Sequence, residues 1–226
     1  MLRLRFAPLF ALTALAAPLA TLQAQEKAHS QFKGFYTDVG FGYRNISAST
    51  SSVLTLNGSV IPSSVSSSSS SQQVGVLTTG YNFNIIQKYF LGIGANISPA
   101  NGSVQQIQIQ ALNQTVTAGG IKPLYNYGFF VSPAYQTEDG LVYLKAGKQT
   151  QVVNSNTGPN FNGYLLGLGY KQFVYESVYL FGEANYSFYG PQTTSRTIVS
   201  SGHTINAAIT TSPQSSRLLL GLGYQF

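Results

Sequence analysis

SRLLLGLGYQF, residues 216–226, is the stretch that decides the fold of this chain. Its apolar side chains fall on every second position, and glycine or polar residues fall between them. The apolar set is Leu218, Leu220, Leu222, Tyr224 and Phe226, and the other set is Arg217, Gly221, Gly223 and Gln225. Successive side chains of a β-strand point to opposite faces, so a period of two predicts a strand with two unlike faces.

The same alternation occurs in eight segments of roughly ten residues each. They are Phe35–Ser47, Val74–Asn84, Lys88–Ser98, Leu124–Gln136, Leu141–Gln151, Asn162–Val174, Ser177–Tyr189 and Ser216–Phe226. Short connections (Asn84–Lys88, Thr137–Gly140, Val174–Ser177) alternate with long ones (Ala48–Gln73, Pro99–Pro123, Val152–Phe161, Gly190–Ser215). Short periplasmic turns and long outer loops are typical of transmembrane barrels. We therefore predict an all-β fold over residues 35–226, an eight-stranded antiparallel up-and-down transmembrane β-barrel with short periplasmic turns and long extracellular loops.

A soluble barrel with its apolar face inside is the main alternative. Charged residues make up only 8% of the chain, whereas a water-facing surface needs roughly 25–35%. The polar face consists mostly of Gly, Ser, Asn and Gln, which suit a narrow lumen. Tyrosines of the apolar face fall near strand ends, where a membrane barrel has its interfaces: Tyr43, Tyr89, Tyr125, Tyr135, Tyr170 and Tyr224. These features favour an apolar face in contact with lipid.

The N-terminus has the pattern of a secretory signal peptide. Arg3 and Arg5 precede an apolar stretch from Phe6 to Leu22, and Ala24 offers a small residue for cleavage. Pro8 and Pro18 argue against a transmembrane anchor. We expect residues 1–24 to be the signal peptide and residues 25–34 a periplasmic segment. The expected location is the outer membrane of a Gram-negative bacterium, among outer-membrane lipids and lipopolysaccharide.

Charge and cysteine content exclude several functions. Removal of residues 1–24 takes away two of the 12 basic residues, which leaves 10 against 6 acidic residues and a net charge of +4. These basic residues are scattered, whereas nucleic-acid binding needs a basic face. The chain has no cysteine, so neither disulfides nor thiolate metal sites can form. We expect no cofactor and no nucleic-acid partner.

Two stretches resemble known outer-membrane barrels. Gly221, Tyr224 and Phe226 look like the assembly signal that the barrel-assembly machinery recognises on a last strand, although Leu219 replaces the usual polar residue. The stretch Glu183–Gly190 is similar to the penultimate strand of the OmpA/OmpX superfamily of eight-stranded barrels, also described as small porin-like outer-membrane proteins. The resemblance covers residues 35–226. It implies the architecture and says little about activity.

Six charged side chains fall on the predicted inner face: Asp38, Arg44, Lys145, Lys171, Glu183 and Arg217. An eight-stranded interior is only wide enough to be filled by side chains, and a buried charge there must be paired or hydrated. We expect Glu183 to pair with Lys145 or Lys171, and Asp38 to join that network. The network is either an ion gate in a narrow pore or a polar plug that specifies the fold.

The long connections carry two further signals. The unbroken serine run Ser66–Ser71 cannot bury apolar area and predicts a mobile, solvated outer loop, with glycosylation or adhesion as the alternatives. Hairpin signals occur at Asn57-Gly58, at Asn113-Gln114 and at Ser200–His203. Such ribbons can add a strand from a surface ligand.

Catalysis and metal binding have little support in the sequence. The two histidines are His29, before the barrel, and His203, in a predicted loop. No aspartate or glutamate occurs in the four long connections, so a triad would lack its acid and a metal its carboxylates. We therefore predict a structural or adhesin-like surface protein with a mostly plugged lumen. A narrow non-specific porin is the alternative, and a lipid-modifying enzyme is a remote one.

Overall fold

The computed structural model describes residues 31–61, 63–67, 69–99, 105–111, 114–121, 123–154, 160–200 and 203–226. The predicted signal peptide lies outside this part of the chain. Among the residues described, there is no helix with the length and hydropathy needed to span a bilayer.

The described residues form thirteen strands. In chain order these are β1 (Gly34–Leu56), β2 (Ser59–Ile61), β3 (Ser63–Ser67), β4 (Ser70–Ile86), β5 (Tyr89–Pro99), β6 (Gln105–Ala111), β7 (Gln114–Ile121), β8 (Pro123–Gln136), β9 (Leu141–Val153), β10 (Phe161–Tyr175), β11 (Val178–Tyr189), β12 (Gln192–Ser200) and β13 (His203–Gln225).

Eight of these strands close into a ring in the order β1-β4-β5-β8-β9-β10-β11-β13, and β13 pairs back with β1. Every neighbouring pair is antiparallel. Closure runs from Tyr36 paired with Gln225 to Leu56 paired with Ile205. The eight-stranded up-and-down barrel that the sequence predicts is confirmed, and the three short connections are tight turns.

The outer wall of the barrel is apolar. Phe41 of β1 is 68% exposed and Leu220 of β13 is 71% exposed. The residues that alternate with the exposed apolar ones along each strand face inward. Of the six predicted interfacial tyrosines, five are exposed on the outside and Tyr170 is half-buried. A belt of large exposed apolar groups around a closed barrel is suited to lipid, because closure leaves no unpaired backbone in the hydrocarbon.

Three of the four long connections contain far more strand than the sequence predicted. β1 continues beyond the belt to Leu56, and β13 begins at His203 and pairs with it. β2 extends this sheet at the β1 side and β12 extends it at the β13 side. The result is a four-stranded sheet, β2-β1-β13-β12, which we call the outer ribbon. A separate three-stranded sheet is formed by β3, β6 and β7.

The serine run corrects one prediction. Ser66 and Ser67 lie in β3, and Ser70 and Ser71 lie in β4, so the prediction of a mobile loop was wrong for these four. Ser71 pairs with Asn45 of β1, whose side-chain amide donates a hydrogen bond to the Ser71 hydroxyl (3.1 Å). Once a barrel strand supplies the partner, the backbone ladder continues without apolar side chains.

The hairpin predictions are confirmed. Asn57 and Gly58 both have positive φ, 47° and 89°, as a type I′ turn requires. β12 and β13 meet at Ser200 and His203. β6 and β7 meet at Ala111 and Gln114, one residue earlier than predicted.

Candidate functional site: the barrel lumen

The structure places all six predicted charged side chains inside the barrel, and all six are buried. They fall into two groups. Asp38, Lys145, Lys171 and Glu183 lie in the periplasmic half, and we call them the lower cluster. Arg44 and Arg217 lie nearer the cell exterior, and we call them the arginine pair.

The first ion pair of the lower cluster joins Lys145 to Glu183. The Tyr143 hydroxyl donates to Glu183 Oε2 (2.7 Å), and the Asn185 side-chain amide donates to Oε1 (2.7 Å). The Lys145 ammonium also lies 4.4 Å from the centre of the Phe130 ring, a cation–π contact. Both carboxylate oxygens of Glu183 are therefore occupied within the cluster.

The second ion pair joins Lys171 to Asp38. Lys171 Nζ donates to Asp38 Oδ2 (3.1 Å) and to the Tyr179 hydroxyl (3.0 Å), and that hydroxyl donates to Asp38 Oδ1. The Tyr36 ring centre lies 3.8 Å from the ammonium. Because each charge has an opposite charge and further donors or acceptors, the desolvation cost of burial is offset.

Glycines on the neighbouring strands, directly paired with Tyr179 and Tyr143, leave room for these two rings. A Cβ at Gly223 would lie 2.2 Å from the Tyr179 ring and 2.4 Å from an Asp38 carboxylate oxygen. A Cβ at Gly169 would lie 2.3 Å from the Tyr143 ring. A larger residue at Gly223 or Gly169 would therefore clash with the tyrosines of the lower cluster.

Little free space remains in the lower lumen. The cavity between Tyr36, Asp38, Lys145 and Lys171 has a volume of about 10 Å³, which is roughly the space that one water needs. Below it, Phe32 is only 2% exposed, and its ring centre lies 4.6 Å from that of Phe173. The side chains around the lower cluster are therefore closely packed.

The arginine pair has different surroundings. Arg44 and Arg217 are directly opposite each other in the register of β1 and β13, and both point inward. None of the three side-chain nitrogens of Arg44 has a hydrogen-bond partner, and neither does Nη1 of Arg217. The two guanidinium groups are buried together without a carboxylate.

Several lumen residues were missed in the sequence, although a usable signal was present. Tyr36, Phe130, Tyr179 and Phe181 face inward and fill the space around the charges. The many Gly, Ser, Asn and Gln residues of the inner face predict a lumen of mainly small and polar side chains, whereas these four rings are large. Strict alternation from Asp38 and Glu183 would have placed Tyr36, Tyr179 and Phe181 on that face.

The three predicted assembly-signal residues lie on different faces of the barrel wall. Gly221 lies on the inner face, where a Cβ would come 2.2 Å from the Val39 carbonyl oxygen and 2.6 Å from the Phe181 ring. Tyr224 and Phe226 are exposed outside, with ring centres 4.9 Å apart. β13 ends at Gln225, and the Phe226 N–H donates to the Phe35 carbonyl (2.8 Å).

No histidine approaches the lower cluster in the part of the chain that is described. His203 begins β13, opposite Ser200, and His29 lies outside the described residues. In the described ranges, no group of three or more His, Cys, Asp or Glu side chains could hold a metal ion.

The closed ring, the apolar belt and the polar interior are features of a bacterial outer-membrane protein, and the chain is an outer-membrane β-barrel of the small eight-stranded class. No protein-family model matches the sequence, and no curated protein matches it significantly.

Several solved structures are similar to it. The outer membrane protein OprG from Pseudomonas aeruginosa is 16% identical over 86% of this chain and 96% of its own, with a TM-score of 0.55. Neisserial surface protein A is 15% identical over 86% and 98%, with a TM-score of 0.49. The attachment invasion locus protein Ail of Yersinia pestis is 11% identical over 86% and 99%, with a TM-score of 0.38. The likeness to OprG shows a shared fold and nothing further.

Proposed function

We propose that this protein is a non-conducting outer-membrane barrel whose outer ribbon binds a partner at the cell surface. The observation that carries the proposal is the contrast between the lower cluster, whose neighbouring cavity has a volume of only about 10 Å³, and strands that continue beyond the apolar belt. β1 runs from Ile46 to Leu56 above the belt, a length of roughly 35 Å at about 3.3 Å per residue.

The β12 edge of the outer ribbon is suited to partner binding. Among the described strands, β12 pairs only with β13, so its other side presents backbone donors and acceptors. Thr193, Thr194 and Ser195 on this strand are exposed. An edge of this kind can accept an extended segment of a partner protein as an additional strand.

Shortening the outer ribbon tests the surface role. One variant replaces residues 50–60 and 193–210 with two-residue turns, so that the barrel strands keep their pairing. A matched control removes the β6–β7 hairpin instead. We expect the first variant to lose attachment of whole cells to protein-coated surfaces and the control to retain it, with equal heat-modifiable migration of both on gels. Unchanged attachment of the ribbon variant would contradict the proposal.

A narrow porin is the alternative, and liposome swelling separates the two. A sealed lower lumen predicts no uptake of small sugars above that of protein-free liposomes. Measurable uptake by the wild-type protein would favour the porin. The proposed role is non-catalytic, and the remote enzymatic alternative is tested by incubating the purified barrel with phospholipid and lipopolysaccharide and analysing the products.

We also propose that Gly221, Tyr224 and Phe226 act as an assembly signal for the barrel-assembly machinery. The two exposed rings lie at the end of the closing strand, within reach of an assembly partner. Deletion of Phe226 is expected to lower the yield of heat-modifiable protein in the outer membrane. Because Gly221 also has a packing role, Phe226 is the cleaner test, and normal insertion of the deletion variant would remove the proposed role.

A further inference from the structure

We infer that Arg44 and Arg217 form a binding site for a small oxyanion, such as phosphate or sulfate, inside the extracellular half of the barrel. Arg44 is 1% exposed and Arg217 is 5% exposed, so both guanidinium groups are buried. The two residues are paired directly across β1 and β13, which holds two like charges side by side.

Among the described residues, neither arginine forms an ion pair with a carboxylate. Glu183, on the neighbouring strand β11, already accepts from Lys145 and Tyr143 on one oxygen and from Asn185 on the other. Asn185 is the residue paired with Arg217 across β11 and β13, and its side-chain amide donates to Glu183. Asp38 is committed to Lys171 and Tyr179.

The distribution of acidic residues along the chain also leaves the two arginines without a carboxylate. Among the described residues, the basic ones that fall in the extracellular half of the strands are Arg44, Lys148, Arg196 and Arg217. From residue 34 onward, the acidic residues are Asp38, Glu138, Asp139, Glu176 and Glu183. All of these lie in the lower cluster or in periplasmic turns. The outer half is therefore uniformly positive, which draws small anions towards its opening.

The chemistry of the two side chains favours an oxyanion. A guanidinium presents a planar fork of N–H donors that matches the oxygens of phosphate or sulfate, and two forks can share one tetrahedral anion. A bound anion would supply acceptors for the donors that lack them, namely the three Arg44 nitrogens and Nη1 of Arg217. It would also offset the mutual repulsion of the two charges.

The same chemistry could come from a free anion or from the phosphate of a lipid headgroup. Both arginines point into the lumen, and a headgroup is anchored outside the apolar belt. We therefore assign the site to a free oxyanion.

The test is thermal unfolding of the full-length barrel in a non-ionic detergent, with inorganic phosphate or sulfate added at constant ionic strength. Wild-type protein is expected to show a saturable rise in Tm. The R44Q/R217Q variant is expected to lose this rise, with at least a tenfold weaker apparent affinity. Lys148→Gln removes an exposed outer charge and serves as the matched control, which should behave as wild type.

A second variant covers the case in which R44Q/R217Q does not fold. R44K/R217K keeps both charges and removes the forked donors, so binding should again weaken at least tenfold. Three results would overturn the inference: no saturable response in wild type, an equal response in either double variant, or stabilisation by phosphatidylglycerol vesicles, relative to phosphatidylcholine vesicles, without any response to inorganic phosphate.

Discussion

The two halves of one lumen solve the same problem differently. Each half buries two cations among strands of the same ring. In the lower cluster, Lys145 and Lys171 each have a carboxylate, and tyrosines complete the hydrogen bonding. In the upper half, Arg44 and Arg217 face each other without one. We therefore propose that the lower half is a folded plug that needs no ligand, whereas the upper half binds an anion from solution.

The largest effect is expected from breaking the lower cluster. Glu183→Ala leaves the buried Lys145 ammonium without its counter-charge and removes the acceptor of Tyr143 and Asn185. Loss of one partner from a buried pair costs about 3–5 kcal/mol. Urea unfolding of the barrel in phospholipid vesicles should show this decrease in the free energy of unfolding.

A control for charge alone is Glu138→Ala, in an exposed periplasmic turn, which is expected to leave stability within about 0.5 kcal/mol of wild type. The double variant Lys145→Met/Glu183→Met removes both charges and should recover most of the loss. Equal stability of Glu183→Ala and Glu138→Ala would mean that the lower cluster does not stabilise the barrel.

The next effect comes from filling the space beside the tyrosines. Gly223→Ala would push a methyl group against the Tyr179 ring and Asp38, and overpacking of this kind costs about 1–3 kcal/mol. Gly75→Ala is the matched control, because its Cβ would meet only the Phe41 ring at 3.5 Å, an ordinary contact. The same unfolding experiment should rank Gly223→Ala well below Gly75→Ala in stability. The reverse ranking would show that Tyr179 can move aside.

Much of the barrel could be predicted from the sequence because its signal is local. Alternation of apolar and polar residues fixes which side chains face inward, and this alone placed Asp38, Glu183 and the two arginines in the lumen. The extent of β1 and β13 beyond the membrane was not predictable in the same way. Ser47–Ser52 has little apolar alternation, and its strand conformation depends on pairing with residues some 160 positions later in the chain.

The partners inside the lumen also depend on long-range geometry. The sequence left Lys145 and Lys171 as equal candidates for Glu183, since both lie on the inner face. Which of the two lysines pairs with Glu183 depends on the stagger of the strands. Gly169 and not Lys171 is paired with Glu183, and Lys171 is held by Asp38 across the barrel. No local pattern encodes that stagger.

A moderate effect is expected at the periplasmic mouth. Phe32→Ala removes a buried ring that packs on Phe173, at a cost of about 2 kcal/mol. Phe35→Ala, on the exposed outer face, is the matched control with a smaller loss. Planar-bilayer recordings of Phe32→Ala should remain silent, because the tightly packed lower cluster still closes the lumen. Ion current through this variant would show that Phe32 is the only seal.

The smallest effect is expected from the arginine pair in anion-free buffer, and it gives the sharpest contrast with the lower cluster. Arg44→Met and Lys145→Met each remove one buried cation and substitute the same flexible apolar side chain. Lys145→Met leaves Glu183 buried without its counter-charge, so it should lower the free energy of unfolding by about 3 kcal/mol or more. Arg44→Met relieves repulsion with Arg217 and strands no acid, so its free energy of unfolding should lie within about 1 kcal/mol of wild type, on the stabilising side. Addition of phosphate should raise the free energy of unfolding of wild type and not that of Arg44→Met. With phosphate, wild type should therefore be the more stable of the two. If Arg44→Met costs as much as Lys145→Met without any anion present, the guanidinium already has a partner within the protein, and the two halves of the lumen are alike after all.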